Sequence, residues 1–187
     1  MSVEAIEVPD FAEAIEAWRV WRVVGGKDGY RLGSVIMETV WPPGEALVAE
    51  CLRTPAAVSW FRRKRGAPGP VPAPDCECGI YAALLPEIRP YLNETPRQSS
   101  IARVVGQVSL WGTVIECERG YRAAHAYPVR IYIPTDAAFH PDCSWGELAA
   151  GLEVYGASVE PLPTRCRDAI SLLEQREFTS LHNGDGS

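Results

Sequence analysis

The chain reads as an α+β protein built on a bent antiparallel sheet, or a small β-barrel, with helices packed at its end. Two observations lead there. From Val104 to Ile115 branched and aromatic residues fall at near-alternate positions, the period of a strand with one face in a core. Gly106 and Gly112 interrupt that run, and glycine inside a strand marks a bulge or a tight bend. A second strand follows at Val129, Ile131 and Ile133, after a turn at Gly120, so the centre of the fold is expected to be a strongly bent pair.

The flanking elements follow in order. Residues 1–17 are acidic and mildly amphipathic, and Ile6, Phe11, Ile15 and Trp18 predict a helix. Residues 18–178 are expected to form one α+β domain. Trp18–Val24 alternates as a strand, Gly25–Gly29 is a hairpin turn, and Tyr30–Ser34 is the returning strand. Trp41-Pro42-Pro43-Gly44 stops it. Ala46–Leu52 fits either a strand or a short helix. The basic, proline-rich stretch 62–74 is expected to be an exposed loop without regular structure. Gly79–Ala82 predicts a short buried strand, and Leu84–Leu92 a helix that Pro86 and Pro90 keep irregular. Ser144 and Glu147 form a capping box for a helix through Leu152. Tyr155–Leu162 predicts an edge strand and Thr164–Phe178 a last helix, with 179–187 a disordered tail.

Composition bounds the function. A chain of 187 residues with 47% hydrophobic and 22% charged residues suits a folded soluble domain. Its apolar runs are too short to cross a membrane, and the N-terminus lacks the apolar core of a signal peptide, so a cytoplasmic location is expected. A formal net charge of −6 disfavours generic binding to phosphate backbones but allows a local basic patch.

Three groups of residues could carry chemistry. Cys76-x-Cys78, with Cys51 upstream and His140 or Cys143 downstream, could supply the four soft ligands zinc takes. Strong zinc signals use paired Cys-x-x-Cys, and free cysteine packs as a small hydrophobe. No spacing brings a fourth ligand to the turn, so no tightly bound metal and no cofactor are expected. Trp111, Tyr121, Arg122, His125 and Tyr127 cluster in the central pair, and aromatics interleaved with arginine can stack bases. Aromatics at strand spacing are also core residues, and Trp111 is expected in the core. Arg62, Arg63, Lys64 and Arg65 form the dense basic run, a candidate contact for a protein partner and otherwise a solvated loop. Catalysis has little footing: there are three histidines and no nucleophile elbow, phosphate-binding loop or His-Glu-x-x-His. Glu116 and Glu118 beside Cys117 read as an exposed strand end.

Three phrases carry a resemblance: Trp18-Arg19-Val20-Trp21-Arg22-Val23, Pro74-Asp75-Cys76-Glu77-Cys78-Gly79-Ile80-Tyr81-Ala82, and Val104-Val105-Gly106 through Leu110-Trp111-Gly112 with Gly120-Tyr121-Arg122-Ala123 and Ala126-Tyr127-Pro128. Together they resemble a group of small uncharacterised bacterial proteins, over roughly residues 18–133. Members of that group often have a histidine before the Cys-x-Cys, and residues 62–74 hold none here. A looser resemblance, in Ile80–Ala82, Leu84–Leu92 and Val105-Gly106-Gln107-Val108, is to PUA-like barrels of the ASCH and EVE types. That resemblance implies a cleft for RNA, modified bases or nucleotides. The expected function is a non-enzymatic binding module for a nucleotide or nucleic acid. The alternative is a protein-interaction or adaptor protein that uses the basic proline-rich loop.

Overall fold

The computed structural model describes residues 5–8, 14–26, 29–51, 71–93, 100–135 and 143–183. In chain order the strands are β1 (Ala5–Val8), β2 (Ile15–Gly26), β3 (Gly29–Ser34), β4 (Leu47–Val48), β5 (Ile80–Ala83), β6 (Ala102–Cys117), β7 (Gly120–Pro134) and β8 (Ser158–Leu162). The helices are α1 (Arg89–Asn93), entered through a tight helical turn at Leu85–Ile88, then α2 (Trp145–Leu152) and α3 (Ala169–Asn183). The fold is α+β with one mixed sheet. Among the described residues no helix is long and apolar enough to cross a membrane.

The long pair β6–β7 is the frame. It runs in register from Cys117↔Gly120 to Val105↔Tyr132. Two irregularities break the ladder, at Gln107/Val108 and at Trp111/Val114. Each lies beside one of the two glycines that signalled it, Gly106 and Gly112. Gly112 has φ +73°, a conformation side chains with a Cβ resist. The bulges bend the pair, and the bend lets other strands close on it. β2 pairs with β6 from Ile15↔Leu110 to Val23↔Ala102, β5 pairs with β7, and β2 meets β5 at Trp18↔Ala83. The result is a ring of strands, β6–β2–β5–β7.

The two faces of β2 and β6 go to two cores. Trp21, Val23, Val104, Val108 and Leu110 pack with Leu32, Trp41, Ile131, Ile133, Leu148, Leu152 and Tyr155. Trp18, Val20, Val105 and Tyr132, at the alternate positions, pack with Leu85, Ile88, Leu92, Leu162, Ile170 and Leu173. α2 therefore seals one core, while α1 and α3 seal the other. The alternation of these strands predicted one face in a core, whereas both faces are covered, each by different helices. The capping box forms as expected: Glu147 N–H donates to Ser144 Oγ at 3.3 Å, and Ser144 N–H donates to Glu147 Oε2 at 2.9 Å.

Several expectations need correction. The N-terminal segment is not a helix where it is described: Ala5–Val8 is a strand, antiparallel to β6 at Gly112–Ile115. β2 leaves that edge of β6 at Leu110, so β1 takes over an edge that would otherwise offer unpaired backbone groups. Residues 9–13 lie outside the described residues. The sheet is not purely antiparallel, because β8 runs parallel to β7. A parallel neighbour needs a crossover, and α2 supplies it between the two strands. α3 continues to Asn183, past the expected end at Phe178. Of the stretch 62–74, only Val71–Pro74 is described. It has no regular structure, but Pro72 is buried rather than exposed.

Candidate functional site

Register along one edge of β7 builds the first candidate site. β4 pairs there at Ala126 and His125, and Ala49 N–H continues to Ala124 O at 2.8 Å. β5 pairs with the same edge from Ala123 to Gly120. The two short strands thus follow one another along β7 and leave a notch near Ala123–Ala124. At that notch the chain departs through Cys51 and returns through Cys76 and Cys78. The three sulfurs lie within 4.8 Å of one another, and Cys51 and Cys76 Sγ are 3.6 Å apart. All three residues are half-buried.

The turn that carries two of them is held from both sides. Cys76 N–H closes it on Ala73 O at 3.2 Å. Arg122, buried beneath it, donates from Nη1 to the carbonyls of Cys76 and Cys78, the latter at 3.2 Å. Gly79 then turns the chain into β5 with φ +125°, and a methyl there would lie 3.1 Å from both Arg122 Cβ and Pro72 Cβ. Both the conformation and the space call for glycine. Tyr81 Oη donates to Glu77 O at 2.7 Å, which ties the exposed side of the turn to β5.

Charge follows the same geometry. Burial pushes the Cys78 thiol above its ordinary pKa, a backbone hydrogen bond from Ala73 pulls it down, and the thiols of Cys76 and Cys51 push it up again. The net direction is up, with burial the largest cause and the neighbouring thiols adding to it. Burial pulls the Arg122 guanidinium down, but a hydrogen bond with Cys117 and the neighbouring Tyr81 and Cys78 outweigh it and hold it above its usual value. Arg122 is therefore a fixed positive charge under the thiols.

The aromatic cluster expected from sequence does not form one site. Trp111 and His125 are register partners and stack at 5.8 Å with an interplanar angle of 21°. Val48, 57% exposed, is the next residue in that row across β7. Trp111 is half-buried, not in the core. Alternation explains the correction: Leu110 points into the core, so its neighbour faces the other way. Tyr121 and Tyr127 instead pack against the main core. Tyr127 Oη donates to Tyr155 O at 2.9 Å and accepts from Gly44 N–H at 2.7 Å. Arg122 belongs to the cysteine turn.

The remaining candidates fall elsewhere. Arg62, Arg63, Lys64, Arg65 and His140 lie outside the described residues. Cys143 sits beside α2, where its hydrogen bond pushes the Tyr30 phenol up to about 12. It is not a member of the three-thiol group. Glu116, Cys117 and Glu118 are exposed at the β6–β7 hairpin, as the sequence suggested. Sequence reasoning missed the part Val48 plays in the aromatic row and the role of Arg122 as a prop. The glycine directly after Cys-x-Cys was the available signal that something must pass close behind that turn. Comparison with protein-family models, with curated proteins and with solved structures finds no match.

Proposed function

We propose that this chain is a non-enzymatic binding module that takes a nucleotide, or a short single-stranded nucleic acid, on the Trp111–His125 row. The observation that carries the reading is the half-buried stack of two rings flanked by an exposed apolar residue, Val48. Such a row is a flat platform, and every base has a face that can stack on one. The ring of strands supports a barrel of the PUA-like kind as the scaffold, a reading that starts from the order of elements around β5 and β6. The net charge of −6 and the hydrogen bonds already made by Arg122 favour recognition through the base over recognition through a phosphate track.

The test is titration of the full chain with nucleoside monophosphates and with short homopolymeric single strands, followed by calorimetry. Saturable binding is expected, with weak salt dependence. Trp111→Leu should weaken it about tenfold or more, since one stacked base contributes about 1–3 kcal/mol. Absence of binding to every probe, or equal binding by Trp111→Leu and His125→Ala, would overturn the proposal.

A further inference from the structure

We infer that Cys51, Cys76 and Cys78 form a three-thiolate site for a single zinc ion. The site lies off the Trp111–His125 row and stands or falls independently of it. Zinc–sulfur bonds of about 2.3 Å in a tetrahedron place neighbouring sulfurs about 3.8 Å apart. Cys51 and Cys76 are already at 3.6 Å, and the whole set lies within 4.8 Å, so the ligands need only small side-chain adjustments. Three sulfurs without a carboxylate select zinc or another soft ion over magnesium or calcium.

The backbone prepares this arrangement. β4 and β5 are both fixed in register on β7, so the notch that gathers the sulfurs follows from sheet pairing. Two ligands share one turn, and Gly79 lets that turn enter β5 directly. Three thiolates around a divalent ion leave one net negative charge. The Arg122 guanidinium lies beneath, bound to the carbonyls of two of the three ligand residues. A partner that both orients the ligands and balances their charge is what metal sites carry in their outer layer.

Simple packing of three small apolar residues accounts for less. Cysteines that serve as core filler are among the most buried residues, and these three are only partly buried. A disulfide would use two sulfurs, leave the third beside it, and need the 3.6 Å separation to close to about 2 Å. Partial exposure also gives an ion a way in. The fourth corner of the tetrahedron is open to water or to a further side chain. The sequence expectation of no metal rested on the missing fourth ligand; the three-thiolate site proposed here leaves that corner to water or a further side chain.

The experiment uses the full chain purified under reducing conditions. Elemental analysis should find about one zinc per chain. After removal of zinc, cobalt(II) should give a thiolate-to-metal charge-transfer band that saturates at about one equivalent and is abolished by added zinc. Cys51→Ser, Cys76→Ser and Cys78→Ser should each weaken cobalt binding at least about tenfold, while Cys143→Ser leaves it unchanged. A readout on the unmutated chain guards against variants that fail to fold. Zinc should slow alkylation of Cys51, Cys76 and Cys78, measured by mass spectrometry, and leave the exposed Cys117 as reactive as before. A folded, reduced chain that takes up neither metal would overturn the inference. So would a cobalt band that survives in Cys76→Ser, or uniform alkylation of all four cysteines with and without zinc.

Discussion

Replacing Gly106 with alanine should lower stability, because the added methyl meets the backbone of the neighbouring strand. Gly106 lies in β6 between Arg19 of β2 and Ile131 of β7, paired on both edges. A methyl there would overlap the carbonyl oxygen of Arg130, and would also lie 2.9 Å from the carbonyl carbon of Arg130 and 3.1 Å from Cα of Ile131. All three atoms are backbone, so no rotamer change relieves the clash and β7 itself must move. Overpacking of this kind costs about 1–3 kcal/mol. Weakening two ladder hydrogen bonds adds about 1 kcal/mol each. A loss of about 4 kcal/mol should lower Tm by roughly 8–16 °C in a chain of this size. Thermal unfolding followed by circular dichroism measures it. Gly146→Ala is the matched control: it lies in α2 with no atom within 4 Å of the added methyl, and should gain about 0.5–1 kcal/mol. A Gly106→Ala protein that unfolds within about 2 °C of the parent, when roughly 2–4 °C is expected per kcal/mol, would refute the crowding argument.

Other substitutions read out other parts of the fold. Tyr155 Oη accepts from Leu32 N–H at 2.9 Å and donates to Trp41 O at 2.8 Å, so Tyr155→Phe strands two buried backbone groups and should cost about 2–4 kcal/mol in urea unfolding; a cost below about 0.5 kcal/mol means that both groups find other partners. Trp111→Ala should cost about 1 kcal/mol, well short of the roughly 3–5 kcal/mol of an emptied core aromatic, and a core-sized loss would move Trp111 back inside. Hydrogen bonds from the Ser144 backbone and hydroxyl hold the Glu147 carboxyl below its ordinary pKa. A depressed carboxylate stabilises fully above its unfolded pKa and loses that contribution as pH falls through the lower folded value. The Tm difference between the parent and Glu147→Gln should therefore be present at neutral pH and disappear in acid, and a difference that is flat with pH contradicts the capping account.

What could be read from the sequence was what neighbouring residues decide. Gly25–Gly29 demanded a hairpin, and β2 and β3 pair down to Gly26↔Gly29. Ser144 and Glu147 formed their box within one helical turn, and Gly106 and Gly112 marked the bulges because positive φ and close approach exclude other residues. What could not be read depends on partners far along the chain. Ile6 and Val8 suit a strand or a helix equally, and only the vacant edge of β6 decides. The direction of β8 follows from the crossover through α2, which no residue in β8 records. Arg122 sits among aromatics in the sequence, yet its hydrogen bonds go to residues more than forty positions earlier. The meeting of Cys51 with Cys76 likewise belongs to β7, which supplies neither sulfur.

A closed ring opens first at its least-paired seam. β6 joins β2 along nine residue pairs, whereas β2 and β5 share the single pair Trp18↔Ala83. Local unfolding begins where few hydrogen bonds and few contacts must be given up at once. Amide protons around Trp18 and Ala83 should therefore exchange with solvent before those of β6, and the ring should breathe there as an intact sheet parted along one line. β5 follows directly on the cysteine turn, so an ion bound at the proposed three-thiolate site would also be a clasp on the side of the ring that would part.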